Sequence, residues 1–240
     1  MNKSIIKGVT DKLIFKLYHN KFLEKIFHTR EALLKKDIKD CKSVLDLGCG
    51  SESPIKYCKN VEYSVGVEAF KPDLEKSKLL RIHSKYINEN ILNIDFEEDS
   101  FDAVMIMDVI EHLNKEDAIK MIKRADKWAR KKIIITTPNG FYPAYGDHKN
   151  ILQTHLSGFG CKELQNLGFT VYGINGLKIL WVDEVNRDQQ ITIKDGFKIK
   201  PYIFGVSLIG LSQLFTYFLP NYAFTFYAVK NKDNYAKRPD

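Results

Sequence analysis

The sequence predicts an α/β fold built on a mostly parallel sheet with helices on both faces. From residue 43 onward, short apolar segments alternate with helical ones, which is typical of parallel strands joined by crossover helices. The 240 residues are 44% hydrophobic and 28% charged, enough chain for a large core and incompatible with wholesale disorder or fibrous repeats. In such sheets, ligands bind beyond the carboxyl ends of the strands. Residues just after each strand are therefore the candidates for a site.

The first forty residues differ in composition from the rest. Residues 1–43 carry 11 basic and 5 acidic side chains, so nearly all of the net charge of +7 lies there. Apolar residues recur every four positions at Ile14, Tyr18, Phe22 and Ile26. That spacing predicts a helix over residues 11–36, and we interpret residues 1–40 as a basic helical cap. A solvated helix face, an anionic membrane surface and non-specific attraction to nucleic acid all agree with this charge, and no specific nucleic-acid partner is expected.

The elements of the sheet follow in order. Strands are predicted at Ser43–Leu47, Tyr63–Val67, 86–92, Phe101–Met107, 132–137, 169–172 and, last, 223–230. Helices are predicted over residues 71–80, 114–130 and 160–167. The helix at 114–130 begins with Asn114 as N-cap and acidic residues in its first turn, and it ends with basic residues. Residues 41–230 are therefore interpreted as one domain, followed by a polar tail at 231–240.

A glycine turn follows the first strand, in the sequence Val-Leu-Asp-Leu-Gly-Cys-Gly of residues 44–50. Gly48 and Gly50 let the backbone turn tightly and approach a ligand closely. Glu68 directly follows the second strand, 20 residues after Gly48, an offset at which an acidic side chain can hold a ribose diol. Together they indicate a cofactor that contains a nucleoside.

The turn also narrows the choice of cofactor. A dinucleotide fingerprint has a third glycine where Ser53 stands, and Glu52 places a negative charge where a pyrophosphate would sit. A cofactor without phosphates and with a positive centre suits this turn better. S-adenosylmethionine is such a cofactor.

These segments resemble the class I S-adenosylmethionine-dependent methyltransferases, with a domain of the methyltransferase type 11/12 kind. Residues 44–50 are similar to the first motif of that family. Residues 100–104 and 108–113 (Asp-Val-Ile-Glu-His-Leu) resemble its fourth strand and following turn, and residues 136–140 resemble the turn after its fifth strand. The resemblance implies a Rossmann-like, seven-stranded sheet whose last strand is antiparallel. Before that strand this chain has a hydrophobic helical insertion.

The resemblance also implies the cofactor contacts. They come from Asp46, Gly48, Cys49, Gly50, Glu68, Ala69, Asn90, Ile91, Asp108 and Val109. The two glycines pass the methionine portion along their backbone, Asp46 orders that end, and Asp108 begins the turn beside it. Glu68 accepts hydrogen bonds from both ribose hydroxyls, while Asn90 and Ile91 flank the adenine. Many relatives have Asp where this chain has Asn90, whose amide oxygen can still accept from the exocyclic amine.

Methyl transfer to a hydroxyl needs an in-line approach and removal of a proton. His112 follows the fourth strand near Asp108 and titrates near neutrality, so these two residues are the catalytic candidates. The alternative is that His112 only packs and caps the next helix. His148 and His155, in the loop after strand five, are candidates for contact with the acceptor.

No metal is expected. Asp108, Glu111 and His112 with a distal histidine loosely resemble the metal-binding set of small-RNA 3′-end methyltransferases, but this turn is also widespread in metal-free relatives. The turn also lacks the Asp/Asn-Pro-Pro-aromatic sequence of enzymes that methylate exocyclic base nitrogens. Methylation of duplex DNA is therefore not expected.

An uncharged stretch of 29 residues separates Lys200 from Lys230. Its helical part, residues 202–219, is about 27 Å long, close to the ~30 Å of a bilayer core. The resemblance implies that strands 169–172 and 223–229 belong to one sheet, and a single membrane crossing between them would separate the pair. Residues 174–221 are therefore an insertion, and their helix is a buried lid, a homodimer contact or an element that docks on a membrane surface.

The function that the sequence favours is methyl transfer from S-adenosylmethionine to oxygen of a small or lipid-linked acceptor. The alternative is a non-catalytic protein that kept the fold and lost the chemistry. Four cysteines without metal-finger spacing, and no apolar stretch typical of a signal peptide, favour a cytoplasmic location with membrane association left open.

Overall fold

A computed structural model describes residues 26–146, 150–182, 185–186, 198–199 and 202–232. Its main sheet has seven strands in the order β3-β2-β1-β4-β5-β9-β7. The strands are β1 (Ser43–Leu47), β2 (Tyr63–Val67), β3 (Lys85–Ile87), β4 (Phe101–Met107), β5 (Ala129–Pro138), β7 (Thr170–Leu177) and β9 (Ala223–Asn231). Strands β6 (Ala144–Tyr145) and β8 (Val185–Asn186) form a separate parallel pair. In the main sheet β9 pairs antiparallel with β5 and β7, and the other pairings are parallel.

Helices cover both faces of the sheet. They are α1 (Arg30–Asp37), α2 (Lys71–Leu79), α3 (Lys115–Trp128), α4 (Cys161–Asn166) and α5 (Tyr202–Thr216). One core cluster joins α3 and α4 to the sheet, and Trp128 and Phe226 are among its largest buried side chains. The other joins α1 and Tyr217, just after α5, to the opposite face. The seven residues of β4 are all buried between these layers, as expected for the centre of a parallel sheet. The predicted Rossmann-like, seven-stranded fold is confirmed.

Several predicted boundaries are wrong, each for a local reason. The strand predicted at 86–92 ends at Ile87 because the side chain of Asn90 accepts from the backbone N–H of Leu92 and opens a short 3-10 turn. The helix predicted at 114–130 does begin after Asn114 but ends at Trp128. From Ala129 the chain pairs with β4 and is strand.

The helix predicted over 11–36 is not continuous in its described part. His28 adopts a left-handed φ of 46°, and a new helix starts after Thr29, whose hydroxyl accepts from the N–H of Ala32. Residues 11–25 of that prediction lie outside the described residues, as does most of the cap at 1–40 and of the tail at 231–240.

The insertion begins later than predicted, because β7 continues past residue 172 to Leu177. Helix α5 packs against β7, and its buried Gln213 side chain hydrogen-bonds to two backbone groups of that strand. Its amide donates to the carbonyl of Gly173 at 3.0 Å and its carbonyl accepts from the N–H of Gly176 at 2.9 Å. Among the described residues, no helix combines the length and apolar character needed to span a bilayer.

Candidate active site

The residues singled out by the sequence line one pocket, of about 340 Å³. They are Asp46, Gly48, Cys49, Gly50, Glu68, Ala69, Asn90, Ile91, Asp108, Val109 and His112. The pocket lies beyond the carboxyl ends of β1, β2 and β4, which are adjacent in the sheet. The fold therefore brings the whole predicted set together, while the ligand atom that each residue contacts stays a prediction.

The glycine turn after β1 depends on its lack of side chains. Gly48 has a φ of +69°, and a Cβ there would lie 2.5 Å from Cγ2 of Val109, closer than real Cβ atoms approach. Gly50 has a φ of +54°, but a Cβ there would meet nothing within 4 Å. Gly48 is thus needed for packing against the β4 turn, whereas Gly50 borders open space in the pocket.

Glu68 is held by backbone N–H groups on both sides. One carboxylate oxygen accepts from Gly50 at 3.0 Å and the other accepts from Phe70 at 2.8 Å. Burial raises the pKa of Glu68 above its ordinary value, although these two hydrogen bonds work in the opposite direction. The carboxylate is therefore fixed in orientation, and each oxygen keeps a further lone pair for a ligand hydroxyl.

Asp46 does not project alone into the pocket. Its carboxylate lies 2.9 Å from Nε2 of His83, and both side chains are buried. Nδ1 of the same imidazole lies 3.5 Å from the hydroxyl of Ser77. His83 fits because β2 has no side chain at Gly66, where a Cβ would lie 2.9 Å from the ring. The pair fixes Asp46 beneath the glycine turn.

Asp108 begins the turn after β4 in a left-handed conformation, with a φ of 55°. One carboxylate oxygen accepts from the hydroxyl of Thr136 at 2.8 Å, and the other accepts from Nη1 of Arg30 at 2.9 Å. Burial alone would lower the pKa of Arg30, but Asp108 and Glu31 outweigh it and the pKa is raised. An ion pair therefore joins the start of α1 to the β4 turn.

A second cluster lies at the edge of the pocket. Glu111 is buried, and ligand atoms of Glu111, His112 and His155 all lie within 4.8 Å of one another. Nδ1 of His112 lies 3.1 Å from the carbonyl of Thr154, and Nδ1 of His155 lies 2.6 Å from that of Tyr142. Because a carbonyl only accepts, each Nδ1 carries the proton and Nε2 is the acceptor nitrogen of the neutral ring. This set could take a proton or hold a divalent cation.

The remaining residues that the sequence analysis discussed are Cys49, Glu52 and His148. The thiol of Cys49 is buried and its pKa is raised by burial, as for a small hydrophobic residue rather than a nucleophile. Glu52 is exposed and pairs with Lys56 at 2.9 Å. His148 lies outside the described residues.

The comparisons with known proteins identify this arrangement. The family model of the methyltransferase domain matches residues 45–131. That segment runs from β1 into β5 and carries the glycine turn, Glu68 and Asp108. Residues 45–131 therefore form a methyltransferase domain of the class I, S-adenosylmethionine-dependent kind. This methyltransferase is 27% identical over 230 residues to an uncharacterized protein of Methanocaldococcus jannaschii. The alignment covers 91% of this chain and 87% of that relative.

Solved structures share the fold of this methyltransferase. A SAM-dependent methyltransferase from Archaeoglobus fulgidus aligns over 88% of this chain and 98% of its own, with a TM-score of 0.52 and 17% identity. The small RNA methyltransferase HEN1 aligns over 85% of this chain and 25% of its own, with a TM-score of 0.55 and 16% identity. Identities this low establish a shared fold and not a shared acceptor.

The pocket of the methyltransferase fits its cofactor in charge. S-adenosylmethionine carries a sulfonium and an ammonium, and most of the charged residues that line the pocket are acidic. The acidic residues are Asp46, Glu52, Glu68, Asp73 and Asp108. The open space beside Gly50 leaves room for the cofactor next to Glu68.

Two lining or supporting residues were missed by the sequence analysis. Arg30 lines the pocket from α1, and no local pattern distinguishes it from the other basic residues of the N-terminal region. His83 lies in the loop before β3, and the one available signal was Gly66, a glycine inside a strand, which can mark the close approach of another group.

Proposed function

We propose that this methyltransferase transfers the methyl group to a hydroxyl oxygen of a small or lipid-linked acceptor, with His112 as general base. The observation that carries the proposal is the position of the His112 imidazole. It lines the cofactor pocket and is oriented by the Thr154 carbonyl so that Nε2 is the acceptor nitrogen. When bound, the cofactor supplies an electrophilic methyl group on its sulfonium.

The protein's own residues bind and orient the cofactor. Glu68, fixed by two backbone N–H groups, is suited to accept from a ribose diol. Asn90 and Ile91 lie after β3, on the side where the adenine is expected. Gly48 and Asp108 lie after β1 and β4, on the side where the methionine portion is expected. Proton removal by a well-placed base contributes about 10²- to 10⁴-fold, and positioning accounts for much of the rest.

Exposed apolar side chains near the pocket support a lipid-linked acceptor. Leu152 lines the pocket and is 47% exposed. In the same connection, Phe141, Ile151 and Leu156 are also exposed. Exposed apolar side chains in a segment that reaches a site are typical of contact with an apolar ligand or surface.

Helix α5 supports contact with a membrane surface, because its polarity is inverted. Its polar residue Gln213 is buried against β7, whereas Phe204, Leu211 and Phe215 are more than half exposed. A helix that presents its apolar face outward suits the boundary between lipid headgroups and acyl chains. None of its described residues lines the cofactor pocket, which disfavours α5 itself as a lid.

The proposal is tested by incubating the protein with S-[methyl-³H]adenosylmethionine and total lipid or aqueous extracts, then partitioning the label between organic and aqueous phases. We expect label in an acceptor that contains a hydroxyl, together with S-adenosylhomocysteine, and loss of both with His112→Asn. Label on nitrogen or carbon, or full turnover in His112→Asn, would overturn the assignment of the acceptor atom or of the base.

A metal-assisted variant of the same reaction is the second candidate. The observation that favours it is the convergence of Glu111, His112 and His155. A divalent cation there would lower the pKa of a coordinated hydroxyl. In that case His112 would be a ligand and not a base, and activity would depend on added metal.

A further inference from the structure

Negatively charged side chains outnumber positively charged ones around the cofactor pocket. In the part of the chain that the structure describes, five carboxylates line the pocket, and Arg30 is the one lysine or arginine among the lining residues. S-adenosylmethionine has two cationic groups and a single anionic group, the carboxylate of its methionine portion. The acidic lining suits the first two groups, but the carboxylate needs a donor of its own.

The glycine turn does not offer that donor, because its amides are already used. The N–H groups of Gly48 and Cys49 donate to the carbonyl of Val67 at 2.8 and 3.0 Å. The N–H of Gly50 donates to Glu68 at 3.0 Å. A carboxylate that lies against this turn therefore meets no unused N–H from these three residues.

Arg30 is placed to supply the donor. It is the first residue of α1. Thr29 caps this helix, and the buried side chains of Leu33 and Leu34 fix it in the core. The guanidinium reaches the pocket, donates to Asp108 at 2.9 Å, and keeps 36% of the side chain exposed. A guanidinium has five N–H donors, so one edge can pair with Asp108 while another binds a second carboxylate.

The order of the strands puts Arg30 at the correct end of the site. Along the sheet edge the strands run β3, β2, β1, β4, and Glu68 follows β2 while Asp108 follows β4. If the ribose lies at Glu68 and the adenine toward β3, the portion of the cofactor beyond the glycine turn lies toward β4. Arg30 is bound to Asp108 at that position.

We propose that Arg30 binds the carboxylate of the cofactor's methionine portion, and that Asp108 holds the guanidinium in position for it. Arg30 is thus a cofactor-binding residue contributed by the N-terminal region to a site otherwise built from the sheet. The inference rests on S-adenosylmethionine as the cofactor.

The test compares two ligands that differ in one group. Dissociation constants are measured by calorimetry for S-adenosylmethionine and for its decarboxylated form, with wild type, Arg30→Ala and Arg30→Lys. We expect Arg30→Ala to weaken S-adenosylmethionine about 10- to 100-fold and to leave the decarboxylated form unchanged or tighter. Arg30→Lys keeps the charge and recovers part of the loss. An equal loss for both ligands, or no loss, would overturn the proposal.

A double variant separates direct binding from a change in charge balance. Arg30→Ala leaves Asp108 without this partner, and its negative charge alone could repel the cofactor carboxylate. In Arg30→Ala with Asp108→Asn that charge is absent. Affinity for S-adenosylmethionine stays weak if Arg30 contacts the carboxylate, whereas recovery to the affinity of Asp108→Asn alone would contradict the contact.

The outcome is also distinguishable from a failure of the proposed function. Glu68→Ala should weaken both ligands by similar factors, because both contain the ribose. If wild type binds and Arg30→Ala behaves like wild type, only the role of Arg30 fails. If wild type binds neither ligand, the role of Arg30 and the proposed methyl transfer fail together.

Discussion

Nε2 of His83 lies 2.9 Å from the carboxylate of Asp46, and neither side chain is more than 2% exposed. The two residues are 37 positions apart, and each alone would be a buried polar group without compensation for lost hydration. Asp46 is the penultimate residue of β1, two positions before Gly48 of the glycine turn. The pair therefore connects the stability of the core to the geometry of the cofactor site.

Loss of His83 is expected to be costly for that reason. In His83→Ala the Asp46 carboxylate stays buried without its partner, and removing one member of such a pair costs about 3–5 kcal/mol. For a chain of this size that lowers the Tm by roughly 6 to 20 °C. The double variant with Asp46→Asn carries no buried charge and should recover part of the loss. A Tm of His83→Ala equal to that of wild type would show that the pair does not stabilise the fold.

The two glycines of the turn form a matched pair. Both have a positive φ, so alanine at either position costs about 1–2 kcal/mol of backbone strain. Only at Gly48 does the new Cβ also collide with Val109, which adds about 1–3 kcal/mol. We expect Gly48→Ala to melt lower than Gly50→Ala without ligand, and Val109→Ala to recover part of that difference. Equal melting temperatures would contradict the close packing at Gly48.

The raised pKa of Glu68 predicts that affinity for the cofactor falls at low pH. Its burial raises its pKa above the ordinary value of 4.5, so the carboxylate protonates at a higher pH than an exposed glutamate. Protonation removes acceptor capacity that ribose hydroxyls require. Affinity for S-adenosylhomocysteine should therefore be full above the raised pKa and decline as pH falls through it. Glu68→Gln should bind more weakly at neutral pH and lack this decline, whereas an identical pH profile would exclude Glu68 as the titrating group.

The effect of Glu68 on folding has the opposite sign. Because its pKa is raised in the folded state, the folded protein favours the protonated form. Relative to Glu68→Gln, unliganded wild type should gain stability as pH falls through the raised pKa. Tm measured in parallel with affinity thus separates loss of binding from acid unfolding.

The sequence predicted the sheet and the position of the site because both depend on local patterns. Apolar runs bounded by turn residues defined Ser43–Leu47, Tyr63–Val67 and Phe101–Met107 with the bounds observed. Parallel strands end at the same edge of a sheet. The residues that follow them are therefore expected to lie close together, even before the packing is known. The lining of the pocket by Gly48, Glu68 and Asp108 agrees with that rule, whereas the role of each residue toward the cofactor is what the family resemblance implies.

The residues that the sequence analysis missed are fixed by contacts between distant segments. His83 pairs with a residue 37 positions away and Arg30 with one 78 positions away. Nothing in the neighbouring residues of either distinguishes it from an ordinary loop histidine or a surface arginine. The early end of β3 was missed because the hydrogen bond of the Asn90 side chain to Leu92 competes with the strand ladder.

His112 as the base predicts a loss of turnover without a loss of binding. His112→Asn should lower kcat by about 10²- to 10⁴-fold while the dissociation constant of S-adenosylhomocysteine changes little. His155→Gln is the matched control, because His155 lies beside His112 with ring centroids 4.8 Å apart but does not line the pocket. Equal losses of kcat in both variants would indicate that the histidines act together.

Removal of metal distinguishes the two roles of His112. If it is a base, prior dialysis against EDTA should leave turnover unchanged. Loss of turnover on chelation, with recovery on addition of Mg²⁺ or Mn²⁺, would instead assign Glu111, His112 and His155 as ligands. A Co²⁺ absorption spectrum that disappears in His155→Gln would support the same conclusion without any acceptor.

The inverted polarity of α5 predicts binding to vesicles. Wild type should pellet with anionic liposomes at low salt, because inserting an exposed large apolar side chain gains about 1.5–3 kcal/mol. Replacing Leu211 and Phe218, which are 61% and 73% exposed, by serine should lower the partition at least about 100-fold. Leu79→Ser is the control, since Leu79 is 83% exposed on α2 and away from this face. No pelleting of wild type would exclude the membrane contact, and a dimer that the double variant converts to monomer would assign the same face to a second copy of the chain.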